Sequence, residues 1–198
     1  MTHEIFDRDY WEERYGAPGF TWTGNPNAVL VEETVSLTPG RALDIGSGEG
    51  GDAIWLASNG WHVTGVDISQ NALDKAAERA GEAGVDVTWE LHDLLDWAPT
   101  PKSFELVTAH FMHLAEPERG VLFRSLAAAV APGGSLLIVG HDVTGHDEHR
   151  AHMAALMFGV GDVLAAIDGQ GLNVVVAESR ERATGGLRDV VVRATRAA

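Results

Sequence analysis

The chain has 198 residues, 45% of them hydrophobic, with 29 acidic against 14 basic side chains and a formal net charge of −15. That length and apolar content suit one α/β domain with a full core, and the charge disfavours nucleic acid and anionic membrane surfaces as partners. The chain has no cysteine, which excludes disulfides, thiolate zinc sites and a cysteine nucleophile.

In chain order, a helix is expected over Asp7–Tyr15, then a loop broken by Gly16, Pro18, Gly19, Gly24 and Pro26, then a second helix over Asn27–Leu37. From there strands and helices alternate. Arg41–Ile45 reads as a buried strand, Glu49–Ser58 as a helix, and Trp61–Asp67 as a strand. Ser69 is placed to cap a helix running to Ala83. Val85–Leu91 and Phe104–Ala109 follow as strands, Glu116–Ala131 as a helix, and Ser135–Gly140 as a fifth strand. The segment His141–Gly171 reads as a polar loop with helix over Met153–Ile167. Leu172–Ser179 and Leu187–Thr195, joined by a short glycine-containing link, read as an antiparallel hairpin at one sheet edge. The expected fold class is therefore α/β: a Rossmann-like seven-stranded, mostly parallel sheet with helices on both faces and an antiparallel C-terminal β-hairpin. A single domain over 1–198 is expected, with an N-terminal helical cap (1–38) on a Rossmann-like core (39–198). The charged N-terminus lacks the apolar core of a signal peptide and no apolar run reaches bilayer length, so a cytoplasmic protein is expected.

The strongest chemical signal is ALDIGSGEGG, beginning at Ala42. A strand runs into Gly46, Ser47 and Gly48 and then into a helix, so the backbone turns sharply and offers open amides to a ligand. Asp67 ends the next strand, where a carboxylate accepts both hydroxyls of a ribose. Gly46, Gly48 and Gly51 also satisfy the dinucleotide fingerprint, so the loop alone leaves a nicotinamide-dependent oxidoreductase open. Asp44 argues against it. An acid so close to the loop repels a pyrophosphate and suits a cation, such as the amino and sulfonium groups of S-adenosylmethionine. Glu49 adds further negative charge at the helix start, and the terminal hairpin is foreign to the simple dinucleotide fold.

With these motifs in order, the chain resembles the class I S-adenosylmethionine-dependent methyltransferases over nearly its whole length. LDIGSGEG is similar to the family's first motif, with Ser47 where cysteine is common, and GVDIS to the second. LHDLLDW places Asp93 after the third strand. FELVTAHFMHL is similar to the strand-four motif, with Glu105 in place of the usual aspartate, and LAAAVAPGGSLLIV to the helix, turn and fifth strand. The N-terminal YWEERY and WTGNPN resemble the small bacterial tellurite-resistance and thiopurine methyltransferase group, in which an N-terminal helix and its tryptophan cap the cofactor. The resemblance implies S-adenosylmethionine as cofactor and a small-molecule methyl acceptor, with O, N or S receiving the methyl. It implies Gly46, Ser47, Gly48 and Asp44 at the methionine part, Asp67 at the ribose, Asp93 at the adenine amino group, and Ile68 and Leu94 on either side of the adenine ring. Trp22 is a lid candidate and Arg14 a partner for the cofactor carboxylate. His110 is expected near the cofactor through its backbone. His113 and His141 follow strands four and five at the catalytic edge and are the candidates for a general base. A non-catalytic S-adenosylmethionine-binding protein on the same fold is the remaining alternative. His146, Asp147, Glu148, His149 and His152 read as a solvated loop, and no metal site is expected. The expected state is a monomer or homodimer.

Overall fold

The computed structural model describes residues 6–143, 155–182 and 188–198. Its elements are α1 (Arg8–Gly16), α2 (Ala28–Thr34), β1 (Arg41–Ile45), α3 (Gly51–Ser58), β2 (His62–Asp67), α4 (Gln70–Ala83), β3 (Val87–Leu91), β4 (Phe104–His110), α5 (Glu118–Ala129), β5 (Val130–His141), α6 (Val160–Ile167), β6 (Leu172–Glu181) and β7 (Arg188–Arg196). The seven strands form one sheet in the order β3-β2-β1-β4-β5-β7-β6. β1 to β5 run parallel, while β7 pairs antiparallel with both β5 and β6. The expected mostly parallel sheet with a reversed final strand is what forms.

Alternation along the strands feeds two apolar layers, because successive side chains leave a strand on opposite faces. Leu43, Val107, Leu136, Ile138, Val190 and Val192 pack on one face with Phe123 and Leu126 of α5 and Val163 of α6. Ala42, Leu106, Leu137, Val139 and Val191 pack on the other with Leu30 of α2 and Leu56 of α3. Phe158 lies fully buried and edge-on to Phe123, with ring centroids 5.4 Å apart. A Cβ on Gly140 would lie 2.1 Å from the Phe158 ring, so β5 accepts that ring only because residue 140 has no side chain.

Element ends differ from the sequence reading where local backbone chemistry intervenes. α4 begins as expected, with Ser69 accepting from the Ala72 amide. Gly84 then takes φ 67° and the Val85 amide donates to the Ala80 carbonyl, which spends Val85 on the helix end and delays β3 to Val87. α3 starts at Gly51, because Gly50 holds the left-handed φ of 83° before it. β5 begins at Val130 rather than at Ser135. Val130 pairs with Phe104 before a register shift leads to Ser135 opposite Leu106. Residues 144–154, with the histidine- and acid-rich cluster, and 183–187, in the hairpin link, lie outside the described residues. Helix beyond 144–154 is confined to α6 and a short 3-10 turn at 155–156. Among the described residues no helix is long and apolar enough to cross a membrane.

The chain leaves β1 toward β2 and β3 on one side, then returns to β4 and β5 on the other. This switch point opens a crevice at the carboxyl ends of β1 and β4, the place where open α/β sheets receive ligands.

Candidate active site

At that crevice β1 ends in the glycine turn. Gly46 and Gly48 have φ of 69° and 51°, the left-handed region that an L side chain avoids. The amides of Gly46 and Ser47 both donate to the Val66 carbonyl, at 2.8 and 3.0 Å, which ties the turn to β2. A cavity of about 1690 Å³ opens over it, larger than the roughly 300–1,000 Å³ of a single small-molecule site. Every site residue singled out from the sequence lines it: Trp22, Asp44, Gly46, Ser47, Gly48, Asp67, Ile68, Asp93, Leu94, His110, His113 and His141.

The acids differ in how they are held. Asp67 accepts from the Gly48 amide (2.8 Å) and the Ser69 amide (2.9 Å), one on each oxygen. A carboxylate has about four acceptor positions, so lone pairs remain for hydroxyls. Burial raises the Asp67 pKa, with those amide bonds opposing. Asp93 accepts from the Leu95 amide at 3.0 Å and so also closes its own turn. Asp44 is 2% exposed. Its Oδ1 accepts from the Thr108 hydroxyl at 2.9 Å, while its Oδ2 is buried without a partner among the described residues. Burial first, and then the charge of Asp52, push the Asp44 carboxyl up to about 7. A buried, unsatisfied acceptor beside a glycine turn asks for a cationic or donor group from a ligand. The sulfonium and ammonium of S-adenosylmethionine meet that requirement, and a pyrophosphate does not.

Sequence reasoning missed one residue here, Asp52, and gave a second, Glu49, a different role. His110 contributes its side chain as well as its backbone, with Nδ1 2.6 Å from Asp52 Oδ2, at the first turn of α3. Burial works to lower the His110 pKa, but the carboxylates of Asp52 and Asp44 outweigh it and the net shift is upward. His110 Nε2 is also buried without a partner among the described residues. The other oxygen of Asp52 accepts from the Asn27 amide at 2.6 Å, so one acid joins the site to the start of α2. Glu49 is the second. It lines the cavity but its oxygens are occupied: they accept from the amides of Thr21 and Trp22 at 2.8 and 2.9 Å, and Lys75 and Arg79 of α4 lie 3.6 and 3.8 Å away. Rather than adding free negative charge to the loop, it pins the N-terminal segment over it.

The rest of that segment is pinned likewise. Glu12 on α1 accepts from the Gln70 amide at 2.6 Å at the start of α4, and the Asn71 side chain donates back to the Glu12 carbonyl at 3.0 Å. Tyr15 is buried and accepts from Trp22 Nε1 at 3.2 Å. Its hydroxyl is pushed up to about 12 by burial, with the Trp22 bond opposing. A Cβ on Gly48 would come within 3.0 Å of that hydroxyl, so the end of α1 lies directly against the glycine turn. Trp22 remains 51% exposed, with the Arg14 guanidinium 5.1 Å from its ring centroid. Both line the cavity, as an edge rather than a closed cover.

The other two histidines read from the sequence line the same cavity. His113 stacks on Phe6 at 5.0 Å and lies 5.7 Å from Trp11 and 6.2 Å from His141. Burial pushes its pKa down to about 4, so the ring is neutral at pH 7. Phe111 takes φ 53°, rare for a bulky residue. Its ring carries His141 at 4.8 Å and the Arg182 guanidinium at 5.0 Å. No group of three or more His, Asp or Glu side chains suited to a metal occurs among the described residues.

Comparison with known proteins agrees with this geometry. The family described as "Methyltransferase domain" matches residues 42–134. Thiocyanate methyltransferase 1 of Arabidopsis thaliana is 31% identical over 153 residues, 74% of this chain and 67% of that protein. Thiocyanate methyltransferase 1 of Brassica oleracea is 33% identical over 151 residues, 73% of this chain and 66% of that protein. The chain therefore spans about two thirds of these relatives' length. They stand near the tellurite-resistance and thiopurine group to which the N-terminal segment pointed. A solved structure concerned with conversion of a disulfide bond into a thioacetal group during echinomycin biosynthesis shares the fold, with a TM-score of 0.77 at 23% identity over 100% of this chain and 92% of that one.

Proposed function

The chain belongs to the class I S-adenosylmethionine-dependent methyltransferase family, and we propose that it methylates a small soft nucleophile, with sulfur as the atom that receives the methyl. The observation that carries the reading is Asp44 Oδ2, a buried acceptor without a partner among the described residues, in the same cavity as the Gly46–Gly48 turn and Asp67. When bound, S-adenosylmethionine supplies a methyl group on a sulfonium sulfur that leaves as a neutral thioether.

The chain's own residues bind, orient and shield. The turn at Gly46 and Gly48 lets backbone approach closely, and Asp44 offers a charge complementary to the methionine end. Asp67 holds the ribose, Asp93 the adenine amino group, and Ile68 and Leu94 the ring faces. Tyr15 and Trp22, held down through Glu49, exclude water from the turn. The remaining space between Phe111, His113 and His141 receives the acceptor. Positioning two reactants in line supplies much of the rate of such a displacement. The names of the plant relatives support sulfur: both are called thiocyanate methyltransferases.

The test is a panel of thiocyanate, thiols, phenols and amines with methyl-labelled S-adenosylmethionine. The label is expected in an S-methyl product, with phenols and amines at least about 10-fold slower in kcat/KM. Label confined to O- or N-methyl products would contradict the sulfur assignment, and no label in any product would remove catalysis altogether.

A further inference from the structure

β7 enters the sheet between β5 and β6, antiparallel to both, and its first residues therefore lie at the ligand end of β5. The register sets Asp189 directly opposite His141. Asp189 also lies opposite Arg180 on β6, close to where the chain leads into Arg182. Arg182 closes this arrangement. Its Nε and Nη2 donate to the two oxygens of Asp189, each at 2.7 Å. The same Nη2 lies 3.0 Å from His141 Nδ1. Burial works against ionising Asp189, but the Arg182 guanidinium on its two oxygens holds its pKa below the usual carboxylate range. Its charge therefore fixes the guanidinium in place.

A guanidinium has donors only. A nitrogen at 3.0 Å from Arg182 Nη2 must present its lone pair, so Nδ1 carries no proton. Asp189 Oδ1 lies 3.6 Å from Nδ1, beyond hydrogen-bond reach, and gives the opposite tautomer no acceptor. A neutral imidazole has one proton, which is then on Nε2. The histidine that follows strand five thus offers the cavity an N–H and has no lone pair free to take a proton.

We propose, on the methyltransferase reading above, that the acceptor is a small nucleophile already anionic at neutral pH, that His141 binds it as an Nε2–H donor, and that Arg182 is the positioning residue that fixes this tautomer. In the step, the nucleophile's electron pair forms the bond to the methyl carbon while the carbon–sulfonium bond breaks, and its electrons stay on the departing sulfur. No proton moves, so no base is needed. His113, neutral and stacked on Phe6, forms the aromatic wall. Phe111 supports both Arg182 and His141 from below. Its left-handed backbone is consistent with a residue held in place for that purpose.

The experiment is nitrogen NMR of the histidine side chains in the full chain saturated with S-adenosylhomocysteine, with His141 assigned by comparison with His141→Gln. Nδ1 is expected unprotonated and Nε2 protonated. Thiocyanate added to the same sample is expected to shift the Nε2–H signal saturably. In Arg182→Met the tautomer preference is expected to disappear. A protonated Nδ1 in the wild type, or no response to thiocyanate, overturns the proposal. Kinetics give a second arm. His141→Gln retains an amide donor and is expected to keep at least about 10-fold more kcat/KM with thiocyanate than His141→Leu, which lacks any donor. Arg182→Met is expected to raise KM about 10-fold with kcat little changed, which separates positioning from general destabilisation. Equal large losses in His141→Gln and His141→Leu would restore a base and contradict the proposal. If no acceptor is turned over, the methyltransferase reading fails on its own, and the NMR arms still decide this one because they require no reaction.

Discussion

In the proposed site, Asp44 serves cofactor binding at the expense of the free protein's stability. The unfolded chain ionises this carboxyl near 3.8, but in the fold burial and Asp52 push it up to about 7. Between those values the folded protein holds a proton that the unfolded chain has lost. Stability therefore falls as pH rises from about 4 to about 7. A bound cation favours the carboxylate, so S-adenosylmethionine affinity is expected to rise as pH increases through about 7, measured by calorimetric titration across that range. A flat profile would separate the cofactor from Asp44. Asp44→Asn is expected to weaken S-adenosylmethionine binding by about 10- to 100-fold. The same substitution is expected to raise the melting temperature of the free protein at pH 8 by roughly 2–4 °C, the shift that about 1 kcal/mol produces in a chain of this size. A lower melting temperature would show that the carboxylate is structural. Asp44 and Asp67 were legible in the sequence because the glycine turn fixes both to the ends of adjacent strands. Asp52 was not, because its pairing with His110 spans 58 positions and depends on how α3 lies against β4.

At the scale of elements, the N-terminal segment is attached mainly through acids that reach across to other helices. Glu12 on α1 caps α4, and Glu49 before α3 binds the backbone at Thr21 and Trp22. Glu49→Ala removes a buried carboxylate and leaves two amides and two cations without it, so a loss of about 3–5 kcal/mol is expected from urea unfolding. If the segment is the cofactor's cap, the variant also becomes sensitive to proteases between α1 and α2 and binds S-adenosylmethionine more weakly. Intact cofactor affinity would show that the cap is dispensable. Phe158 anchors the opposite side, between Gly140 and Phe123. Phe158→Ala is expected to cost about 3–5 kcal/mol in the same measurement. Strand and helix identities were legible from periodicity and from glycine and proline punctuation. The ends were less so, because caps such as Gly84 consume residues that read as strand. The Arg182–Asp189–His141 arrangement was invisible for a different reason. A terminal hairpin is evident from its apolar runs, but only the strand order β5-β7-β6 places Asp189 beside His141.

For the whole molecule, the net charge of −15 is spread over a small surface and opposes compaction. Raising sodium chloride from low to moderate concentration screens that repulsion and is expected to raise the melting temperature. A melting temperature that falls with salt would show that ion pairs such as Arg180 with Glu32 and Glu33 contribute more than the excess charge removes. The cavity runs from the capped glycine turn to the His141 compartment and unites residues from both sides of the switch point. The cofactor half rests on motifs close together in the sequence, while the acceptor half is assembled from β4, β5 and the terminal hairpin. The most direct test of the account is calorimetric titration of S-adenosylmethionine into the wild-type chain, Asp44→Asn and Asp67→Ala at one pH above 7. The account predicts a single saturable site in the wild type and affinity at least about 10-fold weaker in each variant. No saturable binding in the wild type, or equal affinity in all three proteins, would contradict it.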